Sequence, residues 1–532
     1  MDMEGSLTLS SPLLLSETSD SLSHMAIDVP NFANGNHFND SHHFRSMKSE
    51  VTVDPFRNST PNIEGIYEVL KMIICVPIAA VRLLLFGICI VVGYFATFLA
   101  LFKWKETMNP MPRWRSHLML ITRLCGRIIL FAFGYHWIRR IGKPAPREIA
   151  PIVVSNHVSY IEPIFFFYDL FPTIVSSESH DSLPVVGAII RAMQVIYVNR
   201  FSSSSRKQAV NEIKRVASCN GFRRVLLFPE GTTSNGKVLL TFKLGAFIPG
   251  CPIQPVVVRY PFVHFDQTWG NVSLTKLMIR MFLQFHNFME VEYLPVIYPS
   301  DKCIESPSTF AARTRNAIAS SLNVVQSYYS FGDIMLLQKA AEAKHSNPSS
   351  FLVEMSKVES QFNITITEAL LLLEKFLLMN PDTSGRVNYN EFSTTLNLPL
   401  SAVSEKVFSF VDVENAGTVT FKQFVYASGH LTRQRLFWQV CDAVYNLGSN
   451  QGLRDFTQEA LADALVVREG MQGSEMDDLF KVFDSEGRGK ISGDEFVSCM
   501  RRNPFFIALF APSSDWLSLV SKPQPFVSDW CL

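Results

Sequence analysis

The chain is almost wholly apolar over residues 72–102, where Arg82 is the one charged residue. The uninterrupted stretch Leu83–Phe102 has 20 residues, about the length that one helix needs to cross a hydrocarbon core. Pro77 lies near the start of the run, and proline kinks or divides helices. The pattern predicts a transmembrane or re-entrant segment over residues 66–104 and leaves open whether it is a single span or a hairpin.

A second apolar patch, residues 118–137, is interrupted by Arg123 and Arg127. This mixture favours helices that lie in the membrane interface, which we assign to residues 105–145; a buried helix of the next domain is the alternative. Basic residues follow the first apolar run, at Lys103, Lys105, Arg113 and Arg115. Because basic flanks stay on the cytosolic side, the remainder of the chain is predicted to face the cytosol.

Short apolar runs alternate with amphipathic stretches over residues 146–330, as in an α/β domain. The apolar runs predict buried strands at Ile152–Val154, Val195–Val198, Val225–Phe228 and Ile253–Val258. The amphipathic stretches predict helices at Ser205–Ala217 and Phe310–Leu322. Leu274–Phe285 mixes Leu, Met and Phe with two basic residues, which suits either a bilayer-facing helix or a core helix.

Long helical stretches with short Asp-, Asn-, Gly- and Ser-containing loops fill residues 335–505 and predict an all-α domain. Residues 1–60 are rich in Ser, Asn, Asp and His and predict a disordered cytosolic tail. Residues 506–532 predict a second tail. The predicted fold is thus an α/β domain with an N-terminal transmembrane helix or hairpin and an all-α C-terminal domain.

Composition narrows the class of protein. The 532 residues include 48 basic and 48 acidic ones, and this neutral balance argues against general nucleic-acid binding. A hydrophobic share of 47% excludes intrinsic disorder as the overall class. The nine cysteines form no Cys-x-x-Cys pair, so we predict reduced thiols facing the cytosol rather than a disulfide framework or a zinc module.

Candidate chemistry follows the first predicted strand, where His157 precedes Glu162 by five residues. Pro163 disfavours helical angles at Glu162 and suits the first position of a helix, so the pair would flank a strand-to-helix turn. There the carboxylate can fold back onto the imidazole, which makes the minimal general base for a hydroxyl. A structural or solvated histidine is the alternative.

Three further stretches carry groups suited to anions. Arg200 ends a predicted strand with a planar guanidinium, which matches phosphate. A polar turn follows the next strand and contains Glu230, Gly231 and Thr232, whose N–H groups and hydroxyl can line an anion site. Lys243 adds a cation nearby. Taken singly, each is equally a strand-end charge, an ordinary turn or a surface lysine.

The order of N-H-x4-E, strand-Arg, F-P-E-G-T-T-S and I-Q-P-V resembles the four blocks of the glycerolipid acyltransferase family, and Phe242–Phe247 resembles its F-K-x-G-A-F stretch. The resemblance covers roughly residues 150–300. It implies acyl transfer from acyl-CoA to a glycerophospholipid hydroxyl, with His157 and Glu162 as catalytic residues. It also implies that the substrates' phosphate-bearing parts are held by Arg200, Glu230, Gly231, Thr232 and Lys243.

One departure from the family pattern concerns Glu162, where the family usually has aspartate. The extra methylene lengthens the carboxylate's reach, so the turn must adjust or the pair is mispositioned. An inactive acyltransferase fold that serves as a calcium-responsive membrane adaptor is therefore an alternative function.

Residues 380–391 have the layout of a 12-residue EF-hand loop, with Gly385 at position 6. Calcium is a hard cation that needs many oxygen ligands, and oxygen-bearing side chains recur at the required spacing. The predicted Ca²⁺ ligands are Asn380, Asp382, Ser384, Arg386, Asn388 and Glu391. Asn380 at position 1 removes one negative charge.

Two later stretches repeat this frame. Asp412–Gln423 lacks ligands at positions 5 and 12 and is predicted to be a structural partner. The loop that begins at Asp484 has Arg488 at position 5, and its predicted ligands are Asp484, Glu486, Lys490, Ser492 and Glu495. The spacing leaves room for a degenerate hand near residue 448, so two pairs of EF-hands are predicted.

The combination of anchor, four blocks and EF-hands resembles the lysophosphatidylcholine acyltransferase branch and, within it, plant lysophosphatidylethanolamine acyltransferases. It implies a membrane-embedded acyl-CoA:lysophospholipid O-acyltransferase of the endoplasmic reticulum or the Golgi and endosomes. Lysophosphatidylethanolamine is the first-choice acceptor, followed by lysophosphatidylcholine or lysophosphatidylserine. Lysophosphatidate and glycerol 3-phosphate are alternative acceptors. The sequence leaves protein partners open.

Overall fold

The computed structural model describes residues 54–104, 108–183, 185–300, 305–396, 398, 402–448, 455–465 and 473–510. The predicted tail over residues 1–60 lies outside this part of the chain up to residue 53. The predicted tail over residues 506–532 lies outside it from residue 511 onward.

The apolar run forms one 36-residue helix, α1 (Ile66–Leu101), which continues through Pro77. It is long and apolar enough to cross a membrane. Its buried positions recur at seven-residue intervals, as in a helix that packs along one seam, at Glu68, Cys75, Arg82, Cys89 and Ala96. The other faces expose Ile, Leu, Val and Phe side chains. Of the two predicted forms, the structure has the single helix and not the hairpin.

The second apolar patch forms α2 (Arg113–Ala132), which packs antiparallel to α1. Gly93 of α1 lies against Thr122 and Cys125 of α2, because a glycine lets the two backbones approach closely. α2 also packs against the first helix of the α/β domain. Leu120 and Leu124 of α2 are exposed while other residues are buried, and a place in the membrane interface stays a prediction.

Among the described residues, the α/β domain has nine strands: β1 (Arg139–Ile141), β2 (Ile152–Ser155), β3 (Thr173–Ser177), β4 (Ile196–Val198), β5 (Val225–Leu227), β6 (Val238–Leu239), β7 (Ile253–Arg259), β8 (Glu290–Tyr293) and β9 (Val325–Gln326). Seven of them form one sheet in the order β1-β8-β7-β2-β5-β3-β4, and β6 pairs with β9. β7, β2, β5, β3 and β4 are parallel, while β8 runs antiparallel to β7. The carboxyl ends of β2, β3, β4 and β5 consequently meet at one edge, where α/β sheets place their ligands.

Helices cover both faces of this sheet: α3 (Ile161–Asp169), α4 (Val186–Ala192), α5 (Ser203–Ser218), α6 (Leu274–Phe282) and α7 (Pro307–Leu322). The four predicted strands and two predicted helices are confirmed within one to three residues. The domain begins earlier than predicted, because β1 pairs with β8 ahead of residue 146. β1 is an exposed edge strand with two arginines, so no apolar run marks it in the sequence.

The segment that precedes α1 is packed against the α/β domain, which corrects the prediction of a disordered tail up to residue 60. Asn58 is 1% exposed, and its Nδ2 donates to the main-chain oxygens of Asp266 and Thr268. Phe56 is buried beside Tyr329. These contacts reach more than 200 residues along the chain, so composition alone does not reveal them.

The C-terminal domain is helical, with α8 (Phe331–Glu342), α9 (Met355–Phe362), α10 (Ile366–Leu378), α11 (Tyr389–Thr395), α12 (Ala402–Val411), α13 (Phe421–Arg433), α14 (Arg435–Gly448), α15 (Gln458–Ala464), α16 (Gly473–Phe483), α17 (Gly493–Arg502) and α18 (Ile507–Phe510). Two short ladders join its loops in pairs, β10 (Arg386–Asn388) with β11 (Thr418–Thr420) and β12 (Asp455–Phe456) with β13 (Ile491–Ser492). The second ladder supplies the predicted partner hand near residue 448. α18 is buried in the domain core, so the predicted tail begins later than residue 506.

Candidate active site

His157 and Glu162 meet in the turn between β2 and α3. The Nδ1 atom of His157 lies 3.1 Å from Oε2 of Glu162, whose side chain is fully buried. The main-chain N–H groups of Val158 and Ser159 donate to the same carboxylate at 3.0–3.2 Å. Glu162 lies in the first turn of α3, because the helix begins at Ile161, two residues before the start that Pro163 predicts. The local hydrogen bonds and the start of the helix together hold the carboxylate in place.

The imidazole of His157 is held by the protein on its Nδ1 side and is accessible on its Nε2 side. Its ring stacks on Phe228, with centroids 4.1 Å apart and an interplanar angle of 21°. The main-chain oxygen of His157 accepts a hydrogen bond from the N–H of Ser234 at 2.9 Å. The side chain is 18% exposed, and no described residue forms a hydrogen bond with Nε2. The arrangement leaves Nε2 available to take a proton from a bound hydroxyl.

Glu230 differs from its prediction as a substrate-binding residue, because the side chain is fully buried. Oε1 accepts from the main-chain N–H of His157 at 2.9 Å, and Oε2 accepts from that of Leu240 at 3.0 Å. Burial raises the pKa of Glu230 to about 7, against the lowering effect of these two N–H groups. Glu230 therefore braces the main chain that carries His157, and its carboxylate is enclosed by the protein.

The other residues of this turn form its outer rim. Gly231 has φ +72°, a conformation that favours glycine, and its N–H donates to the main-chain oxygen of Phe228. Lys243 is exposed, and its main-chain N–H donates to the oxygen of Pro229 at 2.7 Å. Thr232 is half-buried beside them. Gly231, Thr232 and Lys243 are thus brought together, as their sequence order suggested.

Arg200 lies at the same edge of the sheet as His157 but three strands away, about 14 Å at the usual strand spacing. Its guanidinium stacks on the ring of Phe331, 4.5 Å from the centroid. Between the two lies His180, whose pKa is lowered by burial and then by the positive charges of Arg200 and His157. His180 follows β3, a strand that no clear apolar run predicts, so the hydrophobic pattern does not indicate its place beside the site.

The first EF-hand loop has the oxygen donors that a hard cation requires. Oδ1 of Asp382 accepts from the N–H of Arg386 and from the hydroxyl and N–H of Ser384, and these hydrogen bonds lower the pKa of Asp382. Gly385 takes the positive φ of +79° expected at position 6. Asn388 and Glu391 form a reciprocal capping box at the start of α11. Asn380 completes the oxygen set, which includes two carboxylates and fits a Ca²⁺ loop of reduced charge.

In the last loop, the guanidinium of Arg488 lies between Glu486 and Glu495, two of the predicted ligands. Nε of Arg488 lies 2.9 Å from Oε2 of Glu486, and Nη2 lies 2.6 Å from Oε2 of Glu495. Burial raises the pKa of Glu495, but hydrogen bonds from Ser492 and Arg488 outweigh it and hold the pKa at about 2. The guanidinium thus takes the place of a cation between the two carboxylates.

The Asp484 carboxylate is hydrogen-bonded within its loop in the same way as that of Asp382. The Asp484 carboxylate accepts from the N–H groups of Arg488 and Gly489, and Lys490 is exposed. Across the described ranges, no three His, Cys, Asp or Glu side chains converge on one metal position. Any ion in the first loop would consequently depend on neutral oxygens as well as on Asp382 and Glu391.

Comparisons with known proteins agree with this geometry. Residues 139–259 match the family model described as Acyltransferase, and residues 454–503 match the model described as EF-hand domain pair. The chain is 59% identical over 463 residues to lysophospholipid acyltransferase LPEAT2 of Arabidopsis thaliana, covering 87% of this chain and 86% of that protein. It is 30% identical to lysophosphatidylcholine acyltransferase 2 of Danio rerio, covering 88% and 89%.

The human lysophosphatidylcholine acyltransferase 1 is 29% identical over 80% of this chain and 81% of its own length. These relatives are named as acyltransferases and match most of the chain, which supports the enzyme over the inactive adaptor. The chain belongs to the lysophospholipid acyltransferase family.

Proposed function

We propose that this protein transfers the acyl group of acyl-CoA to the free hydroxyl of a 1-acyl-lysophospholipid, with lysophosphatidylethanolamine as the preferred acceptor. The observation that carries the proposal is the pairing of His157 with the buried Glu162, which leaves Nε2 accessible. The relative at 59% identity is named as a lysophospholipid acyltransferase, which supports this class of acceptor.

In the proposed reaction, the acceptor hydroxyl gives its proton to Nε2 of His157 as its oxygen attacks the thioester carbonyl. The new C–O bond forms, the C–S bond breaks, and the CoA thiolate takes the proton back from the imidazolium. Glu162 orients the ring and stabilises its positive charge while the proton is held there. No acyl-enzyme is required, because both substrates meet at one base.

The exposed cations of the site are proposed to bind the phosphate-bearing parts of the two substrates. Lys243 lies beside the Gly231–Thr232 rim, near His157, and is suited to the phosphate next to the reacting hydroxyl. Arg200 lies farther along the sheet edge and is suited to the longer CoA molecule. Glu230 is left out of this set because its carboxylate is enclosed.

We propose an integral membrane protein of the endoplasmic reticulum or the Golgi and endosomes, with its catalytic and EF-hand domains in the cytosol. The exposed apolar side chains along α1 support membrane association, and the basic residues that follow α1 favour a cytosolic domain. We also propose that the loop at residues 380–391 binds one Ca²⁺ through Asn380, Asp382, Ser384, Arg386, Asn388 and Glu391.

The decisive experiment measures acyl transfer from labelled acyl-CoA in microsomes that express the chain. The acceptors are lysophosphatidylethanolamine, lysophosphatidylcholine, lysophosphatidylserine, lysophosphatidate and glycerol 3-phosphate, each with calcium or with EGTA. His157→Ala should abolish transfer while membrane association persists, and His264→Ala, at an exposed histidine of the same domain, should leave transfer intact. Full activity in His157→Ala would overturn the mechanism, and activity with glycerol 3-phosphate alone would overturn the acceptor.

A further inference from the structure

Tyr260 directly follows β7 and lies behind the His157–Glu162 turn. The side chain of Asn156 ties the turn to that strand, since Nδ2 donates to the oxygen of Val258 at 2.9 Å and Oδ1 accepts from its N–H at 2.8 Å. Tyr260 is two residues beyond Val258, and the two belong to one apolar cluster with Val158. The register of β7 beside β2, with Val256 opposite Ser155, therefore places Tyr260 next to the turn.

The hydroxyl of Tyr260 is a buried polar group that lacks a partner of ordinary hydrogen-bond geometry among the described residues. The residue as a whole is 7% exposed. Burial, followed by the adjacent carboxylate of Glu162, raises the pKa of Tyr260 well above its usual value. A buried hydroxyl without a hydrogen-bond partner destabilises the folded protein. A hydrogen bond from this hydroxyl to a nearby acceptor is therefore favoured.

The neighbouring tyrosines have other hydroxyl partners. Tyr135 donates to Oε1 of Gln267 at 2.7 Å, and Tyr160 contacts Sδ of Met281 at 3.0 Å. Tyr135 and Tyr160 are close enough to Tyr260 to affect its pKa through their charges. The charge of Glu162 in turn affects the pKa of Tyr135 and that of Glu230. Among these three phenols, Tyr260 is the one whose hydroxyl lacks a described partner, and the carboxylate of Glu162 contributes to the raised pKa of Tyr260.

We propose that Tyr260 is a positioning residue that donates its phenolic hydrogen to Glu162 and so holds the carboxylate against Nδ1 of His157 during acyl transfer. The proposal rests on the general-base role of His157 given under the proposed function. Hydrogen bonds of this kind are commonly long before substrate binds and tighten in the reacting complex. The phenol restrains the glutamate, whose additional methylene gives it one more rotatable bond than an aspartate.

The test is a double-mutant cycle on acyl transfer by the full-length protein in microsomes, with wild type, Tyr260→Phe, Glu162→Gln and the double variant. Tyr260→Phe removes one oxygen and keeps the ring. We expect kcat to fall about tenfold, with KM unchanged for acyl-CoA and lysophospholipid, as for loss of one hydrogen bond to a charged group. In the Glu162→Gln background, the same substitution should change kcat less than twofold.

Tyr426→Phe is the matched control, because Tyr426 is also 7% exposed with an unpartnered buried hydroxyl, but lies in the EF-hand domain. It should leave kcat unchanged. An unchanged kcat in Tyr260→Phe, or an equal loss in both backgrounds, would overturn the proposal. Wild-type and His157→Ala activities report separately on the proposed function.

A second pair of variants covers the case in which Tyr260→Phe lowers the thermal inactivation midpoint more than Tyr426→Phe does. Tyr260→His keeps an N–H donor, whereas Tyr260→Leu has none. A higher kcat per folded protein in Tyr260→His would support the positioning role, and equal kcat values would contradict it.

Discussion

Glu162 reaches Nδ1 of His157 at 3.1 Å from a fully buried position in the first turn of α3. The N–H groups of Val158 and Ser159 hold the same carboxylate, so its longer side chain is folded back rather than misplaced. The glutamate is therefore compatible with an active pair, and the local backbone is adapted to its length.

Glu162→Asp should lower kcat roughly a hundredfold, because the shorter carboxylate withdraws from Nδ1 while the backbone donors keep their places. The measurement is initial acyl-transfer rate in microsomes, normalised to the amount of protein. Glu178→Asp, an exposed glutamate of the same domain, is the control and should have the wild-type rate. A rise in activity on Glu162→Asp would show instead that the native glutamate is disabling.

Stability should fall as pH rises through the range in which Glu230 ionises. Its folded-state pKa is about 7, above the usual value of 4.5, so the native state binds the proton more tightly than the unfolded state does. The free energy of unfolding should consequently decrease by about 3 kcal/mol between pH 4.5 and 7. Glu230→Gln should flatten this part of the profile, as measured by the Tm of detergent-purified protein. The same slope in both proteins would contradict the assignment.

Calcium stoichiometry should depend on Arg488. The wild type is expected to bind one Ca²⁺, in the loop at residues 380–391, and Glu391→Gln should abolish it by removing the ligand at position 12. Arg488→Ser replaces the guanidinium with the residue type found at position 5 of the first loop, and a second site should appear. Isothermal titration of the purified full-length protein measures both. An unchanged stoichiometry in Arg488→Ser would contradict the role of the guanidinium as a substitute cation.

Arg82 should contribute to stability through the end of α6. Its guanidinium donates to the main-chain oxygens of Phe282 and Phe285 at 3.0 and 2.9 Å, and also to that of Gln284. Arg82→Ala leaves these carbonyls without their donor, at a cost of about 3 kcal/mol. The thermal inactivation midpoint should fall clearly, whereas Lys103→Ala, at an exposed lysine, should not change it. Equal midpoints would show that α1 docks without this contact.

Local spacing in the sequence was sufficient for several features. The five-residue interval between His157 and Glu162 is bridged by one turn, so adjacent backbone geometry brings the side chains together. The same holds for the Gly231–Thr232 turn and for the first EF-hand loop, whose oxygens recur within twelve residues. The buried strands of the sheet were predictable because parallel strands covered on both faces are apolar throughout.

Only the tertiary structure decided which polar groups are enclosed and by what. In the sequence, Glu230 and Arg488 are ionisable residues that could equally well be exposed to solvent. In the fold, Glu230 accepts from two main-chain N–H groups, and Arg488 forms an ion pair with Glu495. Tyr260 lies 98 positions from Glu162 in the chain but behind it in the fold. Such contacts depend on strand order and helix docking, which arise from packing of the whole domain and not from the spacing of neighbouring residues.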